Sequence, residues 1–286
     1  MKVHRTLASL RDALRRRERP LALVPTMGNL HAGHLSLVDA ARQEAGTVVA
    51  SIFVNPTQFG PGEDFEAYPR TEEKDLEQLK AHKCDLVFAP AAREMYPRGL
   101  GDYTEVLVPP VGQGLCDASR PSHFAGVTSV VARLLNAVTP DVAFFGEKDY
   151  QQLLTIQRMV QDLLWPVKIK AVPIAREATG LAMSSRNNYL TEAEKQHAPL
   201  LNQTLKDLAA ALANVGAAPP QLLGAARERL RQGGFEPEYL ELRRQADLAP
   251  AAPEDQRVIL LAAARLGRTR LIDNRVFTRE NGVADP

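Results

Sequence analysis

Short apolar runs alternate with helical patterns through the first two-thirds of this chain, and this alternation constrains the fold more than any other feature. Strands are predicted at residues 21–25, 48–54, 85–89, 142–145 and 167–174. Helices are predicted between them, at residues 33–44, 71–82, 124–138 and 150–164. The run at 48–54 is apolar on both faces, which is typical of parallel strands covered by helices. We therefore expect an α/β fold in which a parallel sheet is flanked by helices.

The last third of the sequence has a different pattern. Helices are predicted at 192–214 and 221–232, with a break at Ala217-Ala218-Pro219-Pro220 between them. Strand-like runs follow at 239–243, 258–263 and 270–272. A helix pair followed by a small meander predicts a second, smaller α+β domain. We expect the two domains to span residues 1–176 and 177–286.

Composition excludes several classes of protein. The 35 Lys and Arg residues nearly balance the 34 Asp and Glu residues, so the basic excess typical of nucleic-acid binding is missing from the totals. Cys84 and Cys116 are the only cysteines, which argues against a disulfide framework or a thiolate zinc site. The N-terminus is predicted to lead straight into an amphipathic helix, and no apolar run reaches the roughly 18 residues of a membrane span. We expect a cytoplasmic protein that binds neither nucleic acid nor membrane.

Polar segments follow three of the predicted strands. They are Pro25–His34, Asn55–Phe59 and Gly146–Asp149. Ligands of open parallel sheets bind beyond the carboxyl ends of the strands. We therefore expect these three segments to lie along one edge of the sheet.

The first polar segment contains two histidines around a glycine, His31-Ala32-Gly33-His34, directly before a predicted helix. Free backbone N–H groups and the helix dipole favour an anion there, and both imidazoles can donate to phosphate oxygens. Two alternatives stay open. The histidines could bind a metal, although no third ligand is nearby, or they could be ordinary cap and surface residues.

The other two segments that follow strands carry amides and charges. Asn55 and Gln58 can donate and accept hydrogen bonds, which suits hydroxyl or carboxylate groups, while the alternative is an Asn-Pro turn with a surface glutamine. Lys148 can neutralise a phosphate and Asp149 can bind a ribose hydroxyl, with Gln152 one turn later. Charged residues at a helix start are also often merely solvated.

A fourth segment, Gly180-Leu181-Ala182-Met183-Ser184-Ser185-Arg186-Asn187, combines two hydroxyls with a guanidinium. This combination suits a loop that closes over phosphates. A helix N-cap within an interdomain linker is the alternative interpretation.

The motifs together resemble the pantoate–β-alanine ligase family across essentially the whole chain. The matching segments, in the family's order, are PTMGNLHAGH at 25–34, FVNPTQF at 53–59, EDFEAYPR at 63–70, RPSHF at 120–124, FGEKDYQQ at 145–152, GLAMSSRNNYL at 180–190 and RLIDN at 270–274. The HxGH motif alone is much less specific, because many nucleotidyltransferases and class I aminoacyl-tRNA synthetases carry it. Two departures are Ser122, where the family has glycine, and Thr179, which precedes Gly180 where the family has aspartate.

The resemblance implies a Rossmann-like domain at 1–176 that binds nucleotide and pantoate, a C-terminal lid domain at 177–286, and a homodimer. It implies ATP-dependent condensation of pantoate with β-alanine, through a pantoyl adenylate, with release of pyrophosphate and AMP. ATP would enter with Mg²⁺.

The resemblance also implies roles for individual residues. The ATP-binding set is Met27, Gly28, Asn29, Leu30, His31, Ala32, Gly33, His34, Gly146, Glu147, Lys148, Asp149, Ala175, Met183, Ser184, Ser185 and Arg186. The catalytic set is His34, foremost as proton donor and charge stabiliser, with His31, Lys148, Ser184, Ser185 and Arg186. Gln58 and Gln152 would bind pantoate, with Gln58 also near β-alanine, and Asp75 is a weak candidate near magnesium. Asn55, Tyr68, Arg120 and His123 are expected around the same cavity.

Rival functions remain at this point. A nucleotidyltransferase would share the HxGH motif and a late Ser-Arg loop, but it would not need the amides of Asn55, Gln58 and Gln152. A non-catalytic nucleotide-binding regulator would be expected to lose the histidines or Lys148, and all of these are present.

Overall fold

The computed structural model describes residues 1–213 and 219–279, which divide into two units. The first unit comprises Met1–Pro110, Asp117–Glu147 and Gln152–Ile174. The second comprises Val111–Cys116, Lys148–Gln151 and the chain from Ala175 onward. The domain boundary predicted between residues 176 and 177 remains a prediction.

A six-stranded sheet forms the centre of the first unit. Its strands are β1 (Lys2–His4), β2 (Leu21–Thr26), β3 (Thr47–Ile52), β4 (Leu86–Phe88), β5 (Val142–Gly146) and β6 (Lys168–Val172). They are ordered β1-β4-β3-β2-β5-β6, and every neighbouring pair is parallel. The predicted parallel sheet is confirmed.

The helices follow the predicted alternation with strands. In chain order they are α1 (Leu7–Leu14), α2 (Ala32–Glu44), α3 (Glu72–Ala81), α4 (Ala92–Met95), α5 (Cys116–Ser119), α6 (His123–Val138), α7 (Tyr150–Asp162), α8 (Glu192–His197), α9 (Leu200–Ala213) and α10 (Pro219–Gln232). None of the helices in the described ranges is long and apolar enough to cross a membrane.

The core of the first unit explains why the central strands are apolar. Val24 and Ala50 of neighbouring strands are fully buried, in one cluster with Val38 and Ala41 of α2. Burying one such valine side chain contributes about 1.5–3 kcal/mol. Helices on both sides of a parallel sheet require buried residues on both of its faces, as the predicted pattern indicated.

The strand order also determines where a ligand can bind. From β2 the chain proceeds outward through β3 to β4, whereas β5 lies on the other side of β2 and is followed outward by β6. The order therefore reverses between β2 and β5, and ligands of such sheets bind in the crevice at that point. The segment containing His31 and His34 follows β2 directly.

The second unit contains an antiparallel sheet of β7 (Phe235–Arg244), β8 (Arg257–Leu266) and β9 (Thr269–Thr278), in the order β7-β8-β9. Leu201 and Leu205 of α9 are buried in one cluster with Leu260 and Ala262 of β8. The sheet is the predicted meander, and the smaller α+β part of the fold is confirmed.

Several local predictions differ from the structure. The three-residue strand β1 precedes α1, whereas the sequence predicted that the chain enters a helix directly. The helix predicted at 192–214 is two helices, α8 and α9, because Pro199 cannot continue α8 and instead precedes α9. Helix α10 begins at Pro219, two residues earlier than predicted, since proline is tolerated in a first helical turn. Residue 214 and Ala217-Ala218 lie outside the described residues.

Candidate active site

The two histidines lie at the start of α2. His31 is the N-cap residue, and its Nδ1 accepts a hydrogen bond from the Gly33 N–H at 3.1 Å. With Nδ1 accepting, the proton of a neutral imidazole is on Nε2. The His34 ring lies with its centroid 4.0 Å from that of His31. Two imidazoles together at a helix N-terminus form a group suited to binding an anion.

The loop before this helix is held by a buried carboxylate. Asp75 of α3 is 1% exposed, and its Oδ2 and Oδ1 accept hydrogen bonds from the backbone N–H groups of Asn29 and Leu30, at 2.9 and 2.8 Å. Gly28 precedes them at φ +82°, and a Cβ there would lie 3.0 Å from Asp75 Oδ2. Only glycine fits this position without strain, so the PTMGN part of the motif has a geometric reason.

The same contacts bear on Asp75 as a candidate near magnesium, a role that stays a prediction. Besides the two backbone N–H groups, the Thr71 hydroxyl donates to Asp75 Oδ1 at 3.2 Å. The carboxylate is therefore buried and accepts three hydrogen bonds from the protein, so most of its acceptor capacity is already used. In the described ranges, no group of three or more His, Cys, Asp and Glu side chains is arranged to hold a metal ion.

Asn55 forms several hydrogen bonds in the segment Asn55–Phe59, which follows β3. It is fully buried, and its Nδ2 lies 3.2 Å from the Gly126 carbonyl oxygen, an acceptor only. The Tyr96 hydroxyl donates to its Oδ1 at 2.8 Å. These contacts fix the orientation of the Asn55 amide. Nδ2 also lies 3.2 Å from Gln58 Oε1, so the Nε2 donors of Gln58 are the end turned away from Asn55.

Arg120 and His123 hold the backbone of Gln58. The Gln58 carbonyl accepts hydrogen bonds from Arg120 Nη2 at 3.2 Å and from His123 Nδ1 at 2.9 Å. Because a carbonyl only accepts, His123 Nδ1 carries a proton in this contact. Arg120 also forms a bidentate ion pair with Glu63, at 2.7 and 2.6 Å. Burial raises the pKa of Glu63, but the Arg120 guanidinium outweighs burial and holds the pKa below its ordinary value.

Helix α6 packs directly against this segment at Gly126. A Cβ on Gly126 would lie 2.1 Å from the Thr57 carbonyl oxygen, far inside van der Waals contact. The helix can approach the 3₁₀ turn Pro56–Gln58 this closely only at a glycine. Tyr68, also expected near the cavity, is buried with its ring 5.9 Å from that of Phe59.

The third predicted segment divides between the units. Gly146 ends β5, and Glu147 and Gln152 also belong to the first unit, where Gln152 is half-buried on α7. Lys148 and Asp149 belong to the second unit. Their side chains form a long ion pair of 3.5 Å, so neither is tightly fixed by the other.

The fourth predicted segment lies in the second unit. Ala175 accepts a hydrogen bond from the Met183 N–H at 2.9 Å, which closes a short hairpin. The Ser184 hydroxyl accepts from the Arg186 N–H at 3.2 Å and caps the 3₁₀ turn Ser185–Tyr189. The N-cap interpretation is therefore correct for Ser184, and it is compatible with a ligand role for the residues around it.

The two departures from the family pattern fall on permissive positions. Ser122 precedes α6 with φ −93° and ψ −7°, and because this φ is negative, glycine is not required there. Thr179 is exposed in the turn of the hairpin, where the Gly180 N–H donates to the Glu177 carbonyl.

Sequence reasoning missed three residues of the first unit. Tyr96 and Gly126 fix Asn55, and Glu63 fixes Arg120. Glu63 lies within the EDFEAYPR motif, which could have indicated it, whereas neither Tyr96 nor Gly126 lies in a segment singled out for its chemistry.

Proteins of known function match the chain over nearly its whole length. Pantothenate synthetase of Chromohalobacter salexigens is 56% identical over 92% of this chain and 92% of its own. The Azotobacter vinelandii pantothenate synthetase is 52% identical over 94% of this chain and 96% of its own.

Two crystal structures agree with the fold. Pantothenate synthetase from Thermus thermophilus superposes with a TM-score of 0.90 at 45% identity, covering 96% of this chain and 99% of its own. Pantoate–β-alanine ligase from Francisella tularensis, complexed with beta-gamma ATP and β-alanine, has a TM-score of 0.80 at 30% identity and covers 99% of both chains. The family described as pantoate–β-alanine ligase matches residues 2–276. The resemblance found in the sequence is thus confirmed, and the chain belongs to the pantoate–β-alanine ligase family.

Proposed function

We propose that this chain condenses pantoate with β-alanine at the expense of ATP, through a pantoyl adenylate, and releases pyrophosphate and AMP. The observation that carries the proposal is the His31–His34 pair at the N-terminus of α2, at the strand-order reversal of a sheet from this family. The Francisella tularensis relative, which is complexed with beta-gamma ATP and β-alanine, supports the same substrates.

The chemistry explains why ATP is consumed. A carboxylate is a poor acylating agent because its leaving oxygen is very basic. In the first step a pantoate carboxylate oxygen bonds to the α-phosphorus, and the bond from that phosphorus to the pyrophosphate oxygen breaks. In the second step the β-alanine amine bonds to the acyl carbon, loses a proton, and AMP leaves with the electrons of the acyl–oxygen bond.

The first step brings two anions together, so its barrier is largely electrostatic. In this mechanism His34 and His31 stabilise the transition state by donating hydrogen bonds to the phosphate oxygens on which charge develops. The backbone from Met27 to Gly33 would bind the nucleotide, with its conformation held by Asp75. No side chain has to form a covalent bond with substrate.

The remaining ATP contacts are proposed from the family motifs. Gly146, Glu147 and Ala175 would contact the nucleotide, with Asp149 on the ribose. Lys148, Ser184, Ser185 and Arg186 supply the cations and hydroxyls that suit phosphate oxygens, and Met183 lies beside them in sequence. These assignments rest on residue chemistry and motif position.

Gln58 and Gln152 are the proposed pantoate residues, and Gln58 would also contact β-alanine. Gln58 presents Nε2 donors, which match hydroxyl and carboxylate oxygens. Neither side chain carries charge, so neither contributes much to holding phosphates.

The reaction would also involve a metal ion, a cellular compartment and an assembly of the chain. ATP would enter as its Mg²⁺ complex, and the hydrogen bonds from Asn29 and Leu30 favour a structural role for Asp75 over metal binding. The protein would act in the cytoplasm, and as a homodimer like that implied by its family resemblance.

The experiment that tests the function separates the two half-reactions. Pantoate and Mg-ATP without β-alanine should give pyrophosphate and enzyme-bound pantoyl adenylate, and added β-alanine should then release AMP and pantothenate. Formation of ADP and phosphate would indicate an acyl-phosphate ligase and overturn the mechanism. A product that joins a nucleotide to another substrate would favour the nucleotidyltransferase alternative.

A further inference from the structure

The RLIDN motif on β9 has no role in the function proposed above, yet two of its residues contact segments that carry proposed ATP-binding residues. Asp273 and Asn274 are both buried, at 4% and 5% exposure. They are paired with Ala262 and Leu261 of β8, the central strand of the small sheet. Two adjacent polar residues buried on a strand need hydrogen-bond partners, and both find them outside the sheet.

Asp273 holds the hairpin that leads to Ser184. Its Oδ2 and Oδ1 form a bidentate ion pair with Arg176 Nη1 and Nη2, at 2.7 and 2.9 Å. Arg176 Nη1 also donates to the Gly180 carbonyl at 3.1 Å, and Arg176 bridges to Ala182 across the hairpin. The planar Arg176 guanidinium contacts both Asp273 and the Gly180 carbonyl. These contacts fix the orientation of the hairpin as well as its position.

Asn274 holds the Lys148 segment. Its Nδ2 donates to the Lys148 carbonyl oxygen at 3.0 Å. The Asn274 N–H donates to Asp273 Oδ1 at 2.7 Å, so the two residues are linked through one carboxylate. Both segments are therefore attached to the same two residues of β9.

We propose that Asp273 and Asn274 are positioning residues that hold the Lys148 segment and the hairpin before Ser184–Arg186 at a fixed separation for ATP binding. This inference rests on the proposed function, since it assumes that Lys148, Ser184 and Arg186 bind ATP. Neither Asp273 nor Asn274 touches the nucleotide in this proposal. A mismatch of about 1 Å between such groups weakens their combined action by up to about 100-fold.

The first test uses the double variant Arg176→Ala/Asp273→Ala, which removes both charges and leaves no unpaired ion in the interior. We expect its dissociation constant for ATP, measured by calorimetry, to rise about tenfold and its KM for ATP to rise in parallel. The KM for pantoate should stay within about twofold of the native value. Arg176→Lys keeps the charge without the bidentate contact, and it should recover part of the ATP affinity.

A matched control pair lies in the same unit. Arg227 of α10 forms an ion pair with Glu241 of β7 at 3.0 Å and contacts neither segment. Arg227→Ala/Glu241→Ala should leave ATP affinity native, even where its thermal midpoint falls as far as that of the first double variant.

Asn274→Ala is the second test, in case loss of the ion pair prevents folding. It removes the Nδ2 contact to the Lys148 carbonyl and keeps the backbone N–H contact to Asp273, and we expect ATP affinity to fall about three- to tenfold with pantoate KM unchanged. Native ATP affinity in Asn274→Ala, or in the folded Arg176→Ala/Asp273→Ala protein, would overturn the inference. An equal ATP defect in the control pair would also overturn it. Failure of the native protein to form pantoyl adenylate would overturn the proposed function alone, because ATP binding is measured separately.

Discussion

Asn55 Nδ2 lies 3.2 Å from Gln58 Oε1, and this contact decides which end of the Gln58 amide can face a substrate. The orientation of Asn55 is in turn fixed by the Gly126 carbonyl and the Tyr96 hydroxyl. In this arrangement Gln58 turns its Nε2 donors away from Asn55. A donor at this place favours substrates with hydroxyl or carboxylate oxygens over substrates with amino or amide N–H groups.

Replacing Asn55 by aspartate should reverse that polarity. A carboxylate oxygen cannot donate to Gln58 Oε1, so the glutamine amide is no longer held with Nε2 outward. An unpaired buried group costs about 1–3 kcal/mol, which corresponds to about a 10- to 100-fold rise in the KM for pantoate. ATP affinity should stay within about twofold, as calorimetry would show.

A neutral variant separates polarity from the added charge. Tyr96→Phe removes the hydroxyl that donates to Asn55 Oδ1 without adding charge, and it should raise the KM for pantoate by a smaller factor, about threefold to tenfold. Native pantoate kinetics in both variants would mean that the Asn55 contact does not orient Gln58 in the working enzyme.

His34→Ala should lower turnover by about 10²- to 10³-fold, the scale of removing one donor from developing charge. The fold should be intact, because the N-cap contact of α2 is made by the His31 side chain. Steady-state kinetics with saturating substrates measure the effect. His197→Ala is the matched control, since His197 is exposed on α8, and it should be native. Near-native turnover of His34→Ala would show that His34 is not catalytic and has only a structural role.

The strands that position the site were predictable, because long apolar runs are a strong signal over residues such as 48–54. The strand β1 was missed because three residues of mixed polarity carry no period. Pro199 shows a different limit. The alanine- and leucine-rich composition favoured one long helix, and the break at that proline was overlooked.

Motif residues were predictable, but the residues that hold them were not. Asn55 meets Tyr96 across 41 positions and Gly126 across 71 positions, while Arg120 meets Glu63 across 57 positions. Tertiary packing brings such distant partners together, so a single sequence contains no local spacing pattern that identifies them. Asp75 illustrates the same point, since its position on α3 gave no sign that it accepts hydrogen bonds from Asn29 and Leu30.

Asp75→Asn should weaken ATP binding about tenfold whether or not Mg²⁺ is present. An amide at this position can accept from only one of the two backbone N–H groups of Asn29 and Leu30, so the loop loses one anchor. Calorimetry with ATP in chelator and in excess Mg²⁺ measures both conditions. Glu73→Gln, an exposed change on the same helix, is the control. A defect confined to the Mg²⁺ condition would instead identify Asp75 as a metal ligand.

The Glu63–Arg120 pair should make stability depend on pH in a defined direction. The net effect of Arg120 is to hold the pKa of Glu63 below its ordinary value in the folded protein. The stabilisation is then complete above the unfolded-state pKa of about 4.3 and is lost as the pH falls through the lower folded-state pKa. We expect Glu63→Gln to lower the thermal midpoint by about 2–4 °C at neutral pH.

That difference should shrink as the pH falls below the unfolded-state pKa and vanish below the lower folded-state pKa, where native Glu63 is also protonated. Thermal unfolding of both proteins over this pH range provides the measurement, with the exposed Glu77→Gln as the control. A difference that stays constant with pH would show that the variant acts through packing and not through the ionised carboxylate.

The last prediction separates the residues proposed to bind pantoate from those proposed to bind phosphate. Gln152 is an uncharged, half-buried residue of the first unit, whereas Lys148 carries a charge and belongs to the second unit. Gln152→Ala should raise the KM for pantoate about 10- to 100-fold, because the pantoate oxygen that Gln152 is proposed to bind would be left without its hydrogen bond. Its ATP affinity should barely change.

Lys148→Ala should lower ATP affinity and leave the KM for pantoate unchanged, because the proposed role of its cation is to bind phosphates and it would contribute little to a neutral hydroxyl contact. ATP binding is measured by calorimetry and pantoate dependence by steady-state kinetics, on both variants. Only the KM for pantoate of Gln152→Ala and the ATP affinity of Lys148→Ala should change. Lys206→Ala provides the control, since Lys206 is an exposed lysine on α9 of the same unit as Lys148. Loss of ATP affinity in Gln152→Ala with native pantoate dependence would show that the two roles are assigned the wrong way round.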